Sequence, residues 1–144
     1  MEEFKKAPGI TVIEGDDCGY QRQKAQSYME TFLQTGKSFD AVYAHNDEMA
    51  IGAYMAYEHA AKKPAKKPLF VGVDGCQQEV IQMIKDGKLD ATFKYPVPGP
   101  KAVQLAADLI AGKQLDGKKF VLPTEKVTKE NADKYLADNP NLAK

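Results

Sequence analysis

The sequence predicts an α/β fold, a three-layer α/β/α sandwich around a mostly parallel sheet. Short β-branched runs take turns with stretches of helical periodicity along the chain, and runs such as Leu69 to Val73 are apolar without alternation. A strand with no polar side has both faces covered, and strands separated by helices pair in parallel through right-handed crossovers. With 144 residues, 43% of them hydrophobic and 28% charged, the chain holds one core rather than two.

In chain order, "ITVIEG" (10–15) is short, β-branched and closed by glycine, which predicts a first strand. "YQRQKAQSYMETFLQTG" spaces Ala25, Tyr28, Met29, Phe32 and Leu33 by threes and fours and stops at Gly36, an amphipathic helix with a glycine cap. "DAVYAHN" (40–46) is a strand. "DEMAIGAYMAYEHAA" (47–61) is a helix with Ala50, Ala53, Tyr54, Tyr57 and Ala61 on one face. "AAKKPAKKP" (60–68), with its lysines and prolines, reads as a solvated loop into the strand "LFVGVDG" (69–75). The helix "QQEVIQMIKDG" follows, with Val80, Ile81 and Ile84 in one stripe and Gly87 just beyond its end. "DATFKY" is a fourth strand and "GPKAVQLAADLIAGK" a fourth helix. "KFVLPTEKV" is a late extended piece before the short helix in "TKENADKYLA".

The bulk chemistry excludes several functions. Lys and Arg total 20 and so do Asp and Glu, so no net field exists to hold nucleic acid or an anionic membrane. No apolar run approaches the ~18 residues of a membrane span, and "MEEFKKAPGI" lacks the apolar centre of a secretory signal. Cys18 and Cys76 match neither a redox pair nor a zinc knuckle, which leaves them free thiols or a single bridge. No glycine-rich phosphate loop occurs, so nucleotide chemistry has no support; neither a metal nor a cofactor is expected.

In an open parallel sheet, ligands gather beyond the carboxyl ends of the strands. Three of those ends are polar here: His45, Asn46 and Asp47 after one strand, Asp74, Gly75 and Cys76 after another, and "GDDCGYQR" after the first. Asn46 and Asp74 therefore converge although they are distant in sequence. Each also has a plainer role. Asn46 or Asp47 could cap the following helix, Asp74 before Gly75 could be a turn residue, and His45, alternating away from Asn46, reads as a packed histidine. A sugar hydroxyl both donates and accepts, which suits a carboxylate paired with an amide, and a tyrosine ring offers the flat apolar face that a sugar ring covers.

The runs "AVYAHNDEMAIGA", "LFVGVDG", "DGKLDATFKYP" and "LPTEKVTKENADKYL" resemble, in order and spacing, the C-terminal portion of periplasmic sugar-binding proteins of the ribose and galactose type. The resemblance implies one lobe of a type I periplasmic binding protein, and non-catalytic binding of a small sugar for ABC import or chemoreception. In the whole protein, an ABC permease or a chemoreceptor is the implied partner, in the periplasm or outside the cell. It puts Tyr20 on a sugar face, Asn46 and Asp74 on sugar hydroxyls, and Tyr95, with Lys94 beside it, where the family commonly has a polar amide near a hinge. That last position departs from the family pattern.

Members of this family are about twice as long. The resemblance begins inside the first helix of the C-terminal lobe, so the lobe is expected to be incomplete at its N-terminus and to lack an inner strand. Residues 1–97 and 119–144 would form the lobe proper, while the helix within 98–118 would pack on an N-terminal lobe that is not among these residues. Weak sugar binding and a homo-oligomer or swapped dimer are the expected consequences for the chain by itself. The effector half of a lac-repressor-like regulator, or the receptor part of a sensor kinase, shares the fold and is the alternative. A cysteine hydrolase using Cys18 or Cys76 with His45 is a remote one, because neither cysteine lies in a nucleophile-elbow turn.

Overall fold

The computed structural model describes residues 2–143. The elements are α1 (Glu2–Lys5), α2 (Arg22–Gln34), β1 (Ala41–Tyr43), α3 (Asp47–His59), β2 (Leu69–Val71), α4 (Gln78–Lys85), β3 (Ala91–Phe93), α5 (Gly99–Ile110), β4 (Lys126–Thr128) and α6 (Ala132–Asp138). The strands form one sheet in the order β1-β2-β3-β4. β1, β2 and β3 run parallel and β4 closes the sheet antiparallel, with Val42 opposite Phe70 and Thr92 opposite Val127. The fold is α/β, a mostly parallel four-stranded sheet with helices, as in the class predicted, although the second covering layer is largely missing among the described residues.

The core lies on the sheet face that carries Phe70, Thr92 and Val127, all fully buried. Tyr54 and Tyr57 of α3 set their rings 5.5 and 5.4 Å from that of Phe70, and α4 adds Val80, Ile81 and Ile84 to the same cluster. The predicted glycine stops hold: Gly36 and Gly87, just past α2 and α4, have φ of +69° and +71°, which glycine reaches without a steric cost. The lysine-rich segment is a loop, fastened by Lys67 to Asp90 at 2.9 Å.

One close approach decides where α2 sits. Gly52, in the middle of α3, lies against the first turn of α2, and a Cβ built on it would stand 2.1 Å from the carbonyl oxygen of Arg22. Only the absence of a side chain lets the two backbones meet there. The approach fixes the segment that leads into α2, Tyr20 included.

Two expectations need correction. Residues 10–15 form no strand: they lie outside any ladder, with Ile10 51%, Val12 40% and Ile13 49% exposed. Strand propensity reflects packing against a neighbour, and among the described residues none pairs with this run or with the outer edge of β1. The apolar run of β2 is covered on one face rather than two. Leu69 is 53% exposed and Tyr43 51%, and on their side of the sheet the Phe4 ring of α1 touches Tyr43. α5 buries none of its residues, and Val103, Leu109 and Ile110 stand out in solvent.

Candidate functional site

The strand ends meet where the helix N-termini begin. Asn46 is the N-cap of α3: its Oδ1 accepts from the Met49 N–H at 2.9 Å, and its Nδ2 donates to the Tyr20 carbonyl at 3.3 Å. Tyr20 is thereby tied to the end of β1 although 26 residues separate it from Asn46. Gly19 and Tyr20 are consecutive left-handed residues, φ +56° and +59°, and this tight turn leaves the Tyr20 side chain on the surface, 65% exposed.

Asp74 follows β2 at φ +125°, a conformation that L-residues avoid and that costs on the order of 1–3 kcal/mol. Its N–H donates to the Phe93 carbonyl at 3.0 Å and its carbonyl accepts from the Tyr95 N–H at 2.9 Å, which sets Tyr95, 66% exposed, beside it. Among the described residues, the Asp74 carboxylate accepts no hydrogen bond, and partial burial raises its pKa. A half-buried carboxylate with unspent acceptors, held in a strained backbone, is what a ligand hydroxyl requires.

Asp47 connects the two ends. It is 1% exposed. One carboxylate oxygen accepts from Thr92 Oγ1 at 2.6 Å and the other from the Gly75 N–H at 2.7 Å. Bonds thus link Tyr20 to Asn46, Asp47 to Gly75 and Asp74 to Tyr95 at the strand ends. Burial pushes the Asp47 carboxyl up to about 6, against the opposing pull of its two hydrogen bonds. Capping falls to Asn46, so Asp47 is free to reach across the sheet.

Lys94 turns elsewhere. Its Nζ donates to Asn139 Oδ1 at 2.8 Å and lies 5.6 Å from the centre of the Tyr135 ring, among the C-terminal residues. His45 is exposed rather than packed in the core, its ring edge-on to that of Tyr43 on the thinly covered side. Arg22 binds Glu48 at 2.8 Å and Glu79 at 2.7 Å, bracing the first turns of α2, α3 and α4 instead of facing a ligand. Both cysteines are free thiols. Desolvation and then the neighbouring carboxylates raise the Cys76 thiol, the reverse of what a nucleophile needs.

Sequence reasoning missed the cross-sheet role of Asp47 and any role for Tyr135, whose hydroxyl donates to the Gly75 carbonyl at 2.7 Å. A signal was present. Gly72 is a glycine inside the predicted strand run 69–75 and just past the end of β2, where a glycine marks a close approach, and a Cβ there would lie 2.3 Å from the Asp47 carboxylate.

Residues 1–114 match the periplasmic binding protein domain. The chain belongs to this family. The galactofuranose-binding protein of Escherichia coli is 33% identical over 140 residues, covering 95% of this chain and 42% of that protein. The fructose-binding periplasmic domain of a hybrid two-component system superposes with a TM-score of 0.80 at 36% identity, over 94% of this chain and 45% of its own. The binding protein of the arabinose ABC transporter from Shewanella sp. ANA-3, bound to α- and β-L-arabinofuranose, gives 0.80 at 30% identity over 96% and 47%. The chain therefore spans less than half the length of these relatives. The family is one of solute-binding, non-enzymatic domains.

In this periplasmic binding protein domain the strand ends open to the surface. Concavities among the described residues include a cleft of about 350 Å³ between α3 and α4 beside Tyr54, Met55 and Met83, and one of about 600 Å³ lined by Lys94, Pro96, Val97 and Leu122, next to Tyr95.

Proposed function

We propose that this domain holds a small sugar, by contact and without chemistry, at the rim formed by Tyr20, Asn46, Asp74 and Tyr95. The observation that carries the reading is Asp74, whose strained backbone presents a carboxylate with no partner among the described residues. The relatives support it. Each is named for a sugar, and two of the three for furanose rings. In the whole protein the bound sugar serves ABC import in the periplasm or outside the cell. Sensing is the second reading, favoured by the likeness to a two-component receptor domain. Both outputs use the same rim.

A thermal-shift series with D-ribose, L-arabinose, D-fructose and D-galactose tests this. A ligand that binds only the folded form raises stability by mass action, about 2.7 kcal/mol at a hundredfold excess over Kd. One of the four is expected to raise Tm at millimolar concentration. Asp74→Ala is expected to weaken that sugar by about tenfold to a hundredfold, the loss of one charge-assisted hydrogen bond. Four sugars without effect, or an Asp74→Ala variant with unchanged affinity, would overturn the reading.

We also propose that the helix within 98–118 is the part of the chain that packs on a second lobe, because α5 exposes Val103, Leu109 and Ile110 and buries nothing. Alone, the chain covers such surfaces with another copy, joining bare helix faces and the open edge of β1. Sedimentation at micromolar concentration is expected to give a dimer or larger. A compact monomer would count against self-association.

A further inference from the structure

We propose that Asp47 and Tyr135 are positioning residues that hold Asp74 in its binding orientation by gripping Gly75 from both sides. Four backbone groups define how the Asp74–Gly75 pair is held. Two are satisfied along β3 and its extension, where Asp74 N–H meets the Phe93 carbonyl and the Asp74 carbonyl meets the Tyr95 N–H. A ladder of this kind fixes where the strand runs. It does not require the turn that follows to leave at positive φ.

The other two groups are held by side chains from distant elements. Asp47, at the start of α3, accepts the Gly75 N–H at 2.7 Å, and Tyr135, in α6, donates to the Gly75 carbonyl at 2.7 Å. Both side chains are 1% exposed, so both bonds are made without competing water. Gly75 is itself at φ +62°, and a Cβ on it would come within 3.1 Å of both the Tyr135 hydroxyl and the Lys94 Cα. The peptide is therefore confined by contacts as well as by bonds. Glycine takes positive φ freely, but Asp74 at φ +125° relaxes toward a commoner conformation unless the surroundings over-determine it. Here a carboxylate braced by Thr92 and a buried phenol supply that constraint.

Neither residue touches the open rim, so their effect on a ligand passes through Asp74. That effect rests on the sugar-binding reading, whereas the grip on Gly75 does not, and the test has an arm for each. In the 144-residue chain without sugar, amide hydrogen exchange is followed at Asp74 and Gly75 and, for comparison, at Ala44, whose N–H bonds the Val71 carbonyl inside the sheet. Tyr135→Phe is expected to speed exchange at Asp74 and Gly75 about tenfold more than at Ala44. Asp47→Ala is expected to do the same at Gly75. If that variant does not fold, Asp47→Asn, which leaves a weaker neutral acceptor, is expected to give a smaller rise of the same sign. Acceleration that is uniform across the three amides would reduce both residues to ordinary core and overturn the proposal.

The second arm takes whichever of the four sugars binds and measures its Kd in a double-mutant cycle. Tyr135→Phe is expected to weaken binding about fivefold to tenfold with Asp74 present, and less than twofold once Asp74 is Asn. Equal losses in both backgrounds would mean that Tyr135 does not act through Asp74. Should none of the four sugars bind the unmodified chain, the sugar reading falls and the exchange arm alone decides the grip.

Discussion

Gly52→Ala is expected to lower the unfolding free energy by about 2–3 kcal/mol, read as a shift of the urea midpoint at constant slope. The direction runs against local preference, because alanine in the middle of a helix is favoured over glycine by about 1 kcal/mol. Packing reverses the sign. The new methyl would come within 2.1 Å of the Arg22 carbonyl oxygen and 3.1 Å of the Gln26 nitrogen, both backbone atoms that no rotamer change can remove. α2 has to move away from α3, and the turn carrying Tyr20 moves with it. Sugar affinity should therefore fall together with stability. A variant more stable than the parent would refute the close packing.

Asp47 has a comparable effect with a pH signature. Asp47→Ala is expected to cost about 2 kcal/mol at pH 7.5, since the buried Gly75 N–H and Thr92 hydroxyl lose their acceptor. The cost should grow to roughly twice that near pH 4.5. Burial lifts the folded carboxyl from 3.8 to about 6, so the folded state binds its proton more tightly than the unfolded chain does. The stability this provides is fully present below about pH 4, is lost as pH rises through 6, and amounts to roughly 2–3 kcal/mol. Asp47→Asn has no proton to lose, and its amide can accept from Gly75 while donating to Thr92. Its urea stability between pH 4.5 and 7.5 should be flatter than that of the parent by that amount. Parallel profiles would show that Asp47 does not titrate in this range. Asp74 and Glu48 are the carboxylates that add to the upward shift, both less than desolvation does.

Much of this was legible from one dimension because it depends on local chemistry. The glycines at 36 and 87, the stripe of Val80, Ile81 and Ile84, and the polar endings of two apolar strands each state their role within a few residues. Pairing does not. "ITVIEG" has the composition of a strand, yet a strand exists only beside another, and its neighbour cannot be read from its own side chains. Asp47 was ambiguous for a different reason: an acid at a helix start looks the same whether it caps that helix or reaches a strand 45 residues on. Tyr135 gave no sign at all, since its hydroxyl bonds a backbone carbonyl 60 residues away. Lys94 follows a similar rule, its charge drawn to Asn139, a residue that appears in sequence as part of a plain tail.

The way Asn46 is tied down bears on selectivity. With its oxygen committed to Met49 and its nitrogen to Tyr20, the amide cannot rotate by half a turn without losing both contacts. What it has left to offer a solute is one hydrogen and one lone pair in a fixed left-right order. On the proposed sugar-binding reading, two sugars that differ only in the handedness of one carbon meet that order differently, so an asparagine already half occupied would tell epimers apart where a freely turning one would accept either.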